Sequence, residues 1–95
     1  MRRAAKIDSN HPEIVAAFRT AGCSVQSLAA IGKGCPDLLV CVRGKLILVE
    51  VKDGSKPPSA RALTLDQERW RRNWGYAVYL VKCVDDVLAI VYSRL

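Results

Sequence analysis

Along the chain the apolar positions keep a helical rhythm, change to an alternating one, and later repeat both. Ile14, Val15, Ala17, Phe18 and Ala21 fall on one face of a helix, with Gly22 just beyond the last of them. Asn10 can cap that helix, Pro12 fits its first turn, and Glu13 stands three residues after Asn10 in capping-box spacing; a helix over residues 10–22 is predicted. Residues 23–30 read as a first strand, with Val25, Ser27 and Ala29 on one face and Gln26, Leu28 and Ala30 on the other. Leu38-Leu39-Val40-Cys41-Val42 and Leu46-Ile47-Leu48-Val49 are short β-prone runs, and Arg43-Gly44-Lys45 between them is turn chemistry that folds one back on the other. Thr64 can cap a second helix that Gly75 closes, with Gln67 in the capping-box position. Trp70 and Trp74 share a face of it, read as core in preference to a base-stacking platform. Tyr76 opens a fourth strand, and Val84, Val87, Leu88, Val91 and Leu95 recur at helical spacing behind the helix-starting pair Asp85 and Asp86.

Helix, three strands, helix, strand, helix is a mixed α/β order, with a central sheet flanked by helices. Residues 53–62 are rich in Gly, Pro and Ser and read as a surface loop, either a plain connector or a segment that closes over substrate. No repeat or long linker divides the chain, so residues 1–95 are expected to form one domain, with 1–8 a loose basic arm. No apolar run approaches the roughly 18 residues of a membrane span, and no apolar stretch follows the basic start, so a soluble intracellular protein is expected.

The formal net charge of +6 suits a polyanionic partner, because neutralising phosphates supplies much of nucleic-acid affinity. Charge alone does not assign one. Cys23, Cys35, Cys41 and Cys83 are scattered and His11 is the one histidine, which leaves no recognisable zinc ligand set. The cysteines read as small, reduced apolar residues, with Cys35 notable for standing two positions before Asp37.

The chemistry gathers between residues 34 and 52. Side chains alternate along a strand, so Glu50 and Lys52 leave one face together while Val49 and Val51 leave the other. The hairpin brings Asp37 level with the far end of the second strand. Two clustered carboxylates suit a hard divalent cation such as Mg²⁺, and the amine beside them can orient a water or meet phosphate charge. The bland alternative is an ion pair of Glu50 with Lys52 on a solvated strand.

Gly34-Cys35-Pro36-Asp37-Leu38, then Glu50-Val51-Lys52, then Gln67 and Trp70 together resemble the virus-type replication and repair nuclease module (VRR-NUC) of the PD-(D/E)xK nuclease superfamily, over nearly the whole chain. The resemblance implies a restriction-endonuclease-like αβββαβ core. It also implies a divalent-metal-dependent, structure-selective DNA endonuclease, of the kind that resolves four-way (Holliday) junctions as a homodimer. Mg²⁺ or Mn²⁺ would be held by Asp37, Glu50, the Val51 carbonyl and Glu13, with Lys52 and Gln67 completing the catalytic set. Glu13 and Gln67 each keep a second reading as capping residues. Lys33, Lys56, Arg61, Arg69 and Arg72 are the candidate DNA contacts. The alternatives are a flap or other DNA nuclease of the same fold, or a catalytically silent DNA-binding module. No organic cofactor and no membrane partner are expected, and the stand-alone relatives point to the cytoplasm of a bacterial or phage-infected cell.

Overall fold

Pro36 decides where the sheet begins to open. It has no N–H to offer a ladder, so β2 starts after it, at Leu38, and the neighbouring β1 is only Ser24–Ser27, shorter than the predicted 23–30. The last link between the two strands is Leu28 N donating to Asp37 O at 2.7 Å, after which the chain turns away. The computed structural model of the protein describes residues 8–93 and 95; of the basic arm expected over residues 1–8, only Asp8 lies within them.

Strands β2 (Leu38–Val42) and β3 (Lys45–Val51) form the predicted hairpin. Their connection is the two residues Arg43 and Gly44, with φ of 47° and 80°, the left-handed pair that matches the twist of a tight hairpin. Arg43 also donates to the carbonyls of Val91 and Ser93, which ties the turn to the end of the last helix and the chain just after it. The sheet order is β1-β2-β3-β4, antiparallel except for β4 (Val78–Val81), which runs parallel to β3. A parallel neighbour needs a crossover, and α2 (Pro58–Arg61) and α3 (Leu65–Trp74) supply it. The short α2 lies inside the stretch expected to be plain loop.

Helices α1 (His11–Thr20) and α4 (Val84–Val91) cover one face of the sheet. Ile14 and Phe18 from α1 and Val87, Ile90 and Val91 from α4 meet Leu38, Val40, Val42, Val49, Val51 and Val81 in one buried cluster. Each such side chain contributes about 1.5–3 kcal/mol by leaving water. The end of α1 is as predicted: Gly22 has φ 91°, and the N–H groups of Gly22 and Cys23 return to the carbonyls of Arg19 and Phe18. Its start is not. Asn10 makes no side-chain cap; its Nδ2 donates instead to the carbonyls of Lys52 and Lys82, each at 3.1 Å. Those carbonyls stand where β3 and β4 end, and one amide nitrogen has a hydrogen for each. Asp86 accepts from Lys82 N at 2.8 Å, consistent with its place at the start of α4.

The opposite face of the sheet carries α3, and here the tryptophans depart from expectation. No residue of α3 is buried, Trp74 is 66% exposed, and Trp70 stacks on it with ring centroids 4.9 Å apart. The physical reason is composition: Asp66, Gln67, Glu68, Arg69, Arg71 and Arg72 leave this helix little apolar surface, so polar links hold it. Arg71 donates to Val78 O at 3.1 Å, and the capping box of Thr64 with Gln67 is formed as predicted.

Candidate active site

The register Leu38↔Val49 sets Asp37 opposite Glu50 at the open end of the hairpin. A slip of one residue would turn Glu50 into the apolar core, so the buried valines on either side of it enforce the alignment. Asp37 Oδ2 accepts from Val51 N at 2.7 Å, which fixes that carboxylate against β3. Glu50 and Lys52 follow on the α3 side and are 4% and 7% exposed, so the solvated-strand alternative does not hold.

Gln67 joins the two. Its Oε1 accepts from Lys52 Nζ at 2.9 Å and from Thr64 N at 2.9 Å, while its Nε2 donates to Glu50 Oε2 at 3.1 Å. Lysine and backbone N–H only donate, and Glu50 accepts, so the orientation of the amide is unambiguous. The capping reading of Gln67 is thus met, and the same side chain in the same position bonds Lys52 and Glu50.

These groups line a cleft of about 370 Å³, with Asp8, Lys56 and Thr64 on its walls. Asp8 was not singled out by the sequence. It precedes the first periodic residue, and nothing in the spacing marks it; only the fold of residues 8–10 against the chain after β3 brings it in. Ser9 Oγ donates to Asp53 Oδ2 at 2.9 Å, and Lys56 Nζ lies 3.9 Å from Asp8 Oδ1. Asp53 also accepts from the N–H and hydroxyl of Ser55, and these bonds with that of Ser9 hold its carboxyl below the usual range.

Glu13 is not brought to the cleft. It is exposed on α1 and lines a separate groove with Ala17, Val84 and Leu88, because the inward face of α1 belongs to Ile14 and Phe18. Its capping role is absent as well, since Asn10 is turned toward the strand ends. Among the candidate DNA contacts Lys56 lines the cleft. Lys33, Arg69 and Arg72 are exposed outside it, Arg69 at 3.9 Å from Asp66, and Arg61 is half-buried on α2.

Burial, a hydrogen bond with the Asp37 side chain and the Asp37 charge push the Glu50 carboxyl up to about 9, against the pull of Lys52. Burial, then Glu50 and Asp37, likewise raise the Cys35 thiol. Two carboxyl groups held this close offer a pair of oxygens to a cation. Among the described residues no group of three or more His, Cys, Asp or Glu side chains is arranged to enclose an ion. Two hard oxygen donors in an open cleft fit Mg²⁺ or Mn²⁺, which keep several waters, better than a metal that needs a full protein cage.

No protein-family model matches the chain, and no curated protein matches it either. Among solved structures, one described as "VRR_NUC domain" is 30% identical, with a TM-score of 0.54, over 87% of this chain and 91% of that one.

Proposed function

The chain belongs to the VRR_NUC domain family, a nuclease fold of the PD-(D/E)xK type that acts on DNA, and from that premise we propose a divalent-metal-dependent endonuclease that hydrolyses phosphodiester bonds in branched DNA. The observation that carries the reading is the group Asp37, Glu50, Gln67 and Lys52 facing one cleft, with Gln67 bonded to Lys52 at 2.9 Å and to Glu50 at 3.1 Å, and Asp37 held to β3 by Val51 N at 2.7 Å.

Asp37 and Glu50, with the Val51 carbonyl, would hold Mg²⁺ or Mn²⁺. Asp8, rather than Glu13, adds the further negative charge at the cleft wall. When bound, the ion supplies Lewis-acid charge at the scissile phosphate. Lys52 directs an ammonium hydrogen to the attacking water or to the phosphoryl oxygen on which charge grows. Gln67 limits how Lys52 can move by accepting one of its hydrogens, and its other end keeps Glu50 facing the cleft. Lys56 meets the DNA phosphate backbone at the cleft mouth.

Four-way junctions are the branched substrate we favour, cut symmetrically by a homodimer, because two opposed strands need two related active sites. The α3 side of the sheet supports a second copy as partner. Leu39, Leu46, Leu48, Trp74 and Tyr76 line a groove there with no charged side chain, on a chain whose net charge of +6 disfavours self-association elsewhere.

The test is cleavage by Asp37→Asn, Glu50→Gln and Gln67→Ala beside wild type, with folding checked by circular dichroism. Either carboxylate change should slow cleavage by about 10² or more, and Gln67→Ala by about tenfold to a hundredfold. An Asp37→Asn protein as fast as wild type removes the assignment.

A further inference from the structure

Before Asp37 the backbone makes a left-handed turn, with φ of 68° at Gly32, 54° at Lys33 and 82° at Gly34. Cys35 N closes it on Gly32 O at 3.1 Å. Lys33 holds this conformation despite its Cβ, so positive φ alone does not explain glycine at 34. A Cβ built on Gly34 would lie 2.2 Å from Asp66 O and 2.8 Å from Gln67 N. Both atoms are backbone in the first turn of α3 and cannot swing aside as a side chain would. A Cβ on Gly32 would meet nothing within 4 Å. Gln67 is the residue whose amide joins Lys52 to Glu50, and its N–H is held by Thr64 Oγ1 at 3.2 Å.

We propose that Gly34 is a positioning residue: its missing side chain is the seat of the first turn of α3, and that seat sets the reach of the Gln67 amide to Glu50 and Lys52. An ordinary contact in place of the 2.2 Å approach moves the turn outward by on the order of 1 Å. Bonds of 2.9 and 3.1 Å do not survive such a shift. The link runs from one absent methyl group, through a helix start, to two catalytic side chains. Its kinetic consequence rests on the nuclease reading above.

Gly34→Ala is the test, with Gly32→Ala as the control that accepts the same left-handed strain without the contact. On a four-way junction in Mg²⁺, Gly34→Ala should lower kcat by about tenfold or more and leave KM within about twofold, while Gly32→Ala stays near wild type. Gly34→Ala combined with Gln67→Ala should be no slower than Gln67→Ala alone, because no amide is left to displace. In the metal-free protein the NMR signals of the Gln67 side-chain amide should move in Gly34→Ala and not in Gly32→Ala. If Gly34→Ala does not fold, Gly34→Asn takes its place, since Asn accepts the left-handed region and carries the same Cβ. Equal behaviour of the Ala variants at 34 and 32, or a double variant slowed by the product of the single losses, overturns the proposal. So does failure of both Gly34 variants to fold while Gly32→Ala folds, which makes the contact a folding requirement. A wild type that cleaves no DNA removes the nuclease reading and leaves the amide signals to test the seat.

Discussion

Because the Glu50 carboxyl is pushed up to about 9, it is protonated at neutral pH in the metal-free protein. A divalent ion entering beside Asp37 must displace that proton. Apparent Mg²⁺ affinity should therefore rise by up to about tenfold per pH unit toward pH 9 and level off above it, with about one proton released per ion, measurable by titration calorimetry in buffers of different ionisation heat. The same shift has a sign for stability. A carboxyl raised above its unfolded value stabilises the fold fully below about pH 4.5, and that contribution is lost as pH rises through about 9. Metal-free wild type should melt at a lower temperature near pH 9 than near pH 6, and Glu50→Gln should show much less of this slope. Asp8 and Glu13 separate just as cleanly. Asp8→Asn should weaken Mg²⁺ binding and cleavage several-fold, whereas Glu13→Gln, outside the cleft, should leave both near wild type; the reverse order would return the metal to α1.

At the scale of elements, the hairpin and α3 were legible in the sequence because their signals are local. Alternation, the Arg43-Gly44 turn and the Thr64 to Gln67 capping box each span a few residues, and each sets a register that carries a site residue to its place. What escaped the sequence depends on long-range packing. Asn10 read as a helix cap because its spacing to Glu13 fits one. The strand ends at Lys52 and Lys82 offer its amide two carbonyls instead, and no local pattern announces them. Asp8 enters the cleft for the same reason, following Ser9 to Asp53. Trp70 and Trp74 were expected inside because they share one helix face, which says nothing about how little of α3 could follow them in. Asn10→Ala should cost about 1–3 kcal/mol, lowering the thermal midpoint by several degrees, since both carbonyls lose a partner in a half-buried place. A melting curve unchanged by the substitution would show that the clamp contributes nothing.

At the scale of the whole molecule, α1 and α4 seal one face of the sheet, and the other is divided along α3. Its N-terminal end closes the cleft over Glu50 and Lys52; its C-terminal end leaves Leu46, Trp74 and Tyr76 at 57%, 66% and 55% exposure. That division is what a homodimer on the α3 side would use. Trp74→Glu should convert a dimer to a monomer by light scattering and turn paired nicks on a junction into independent ones, while metal dependence persists. A wild type that is already monomeric on the junction removes the symmetric mechanism and leaves the cleft chemistry standing. The most direct measurement is cleavage of a labelled four-way junction, beside linear duplex, single strand and flap, by wild type and Lys52→Ala in Mg²⁺, Mn²⁺ or EDTA. Paired nicks on the junction, abolished by EDTA and slowed by about 10² or more in Lys52→Ala, are expected. Cleavage that survives EDTA, a Lys52→Ala protein as fast as wild type, or binding without cleavage in either metal contradicts the assignment of Asp37, Glu50 and Lys52 as the centre of a metal-dependent nuclease.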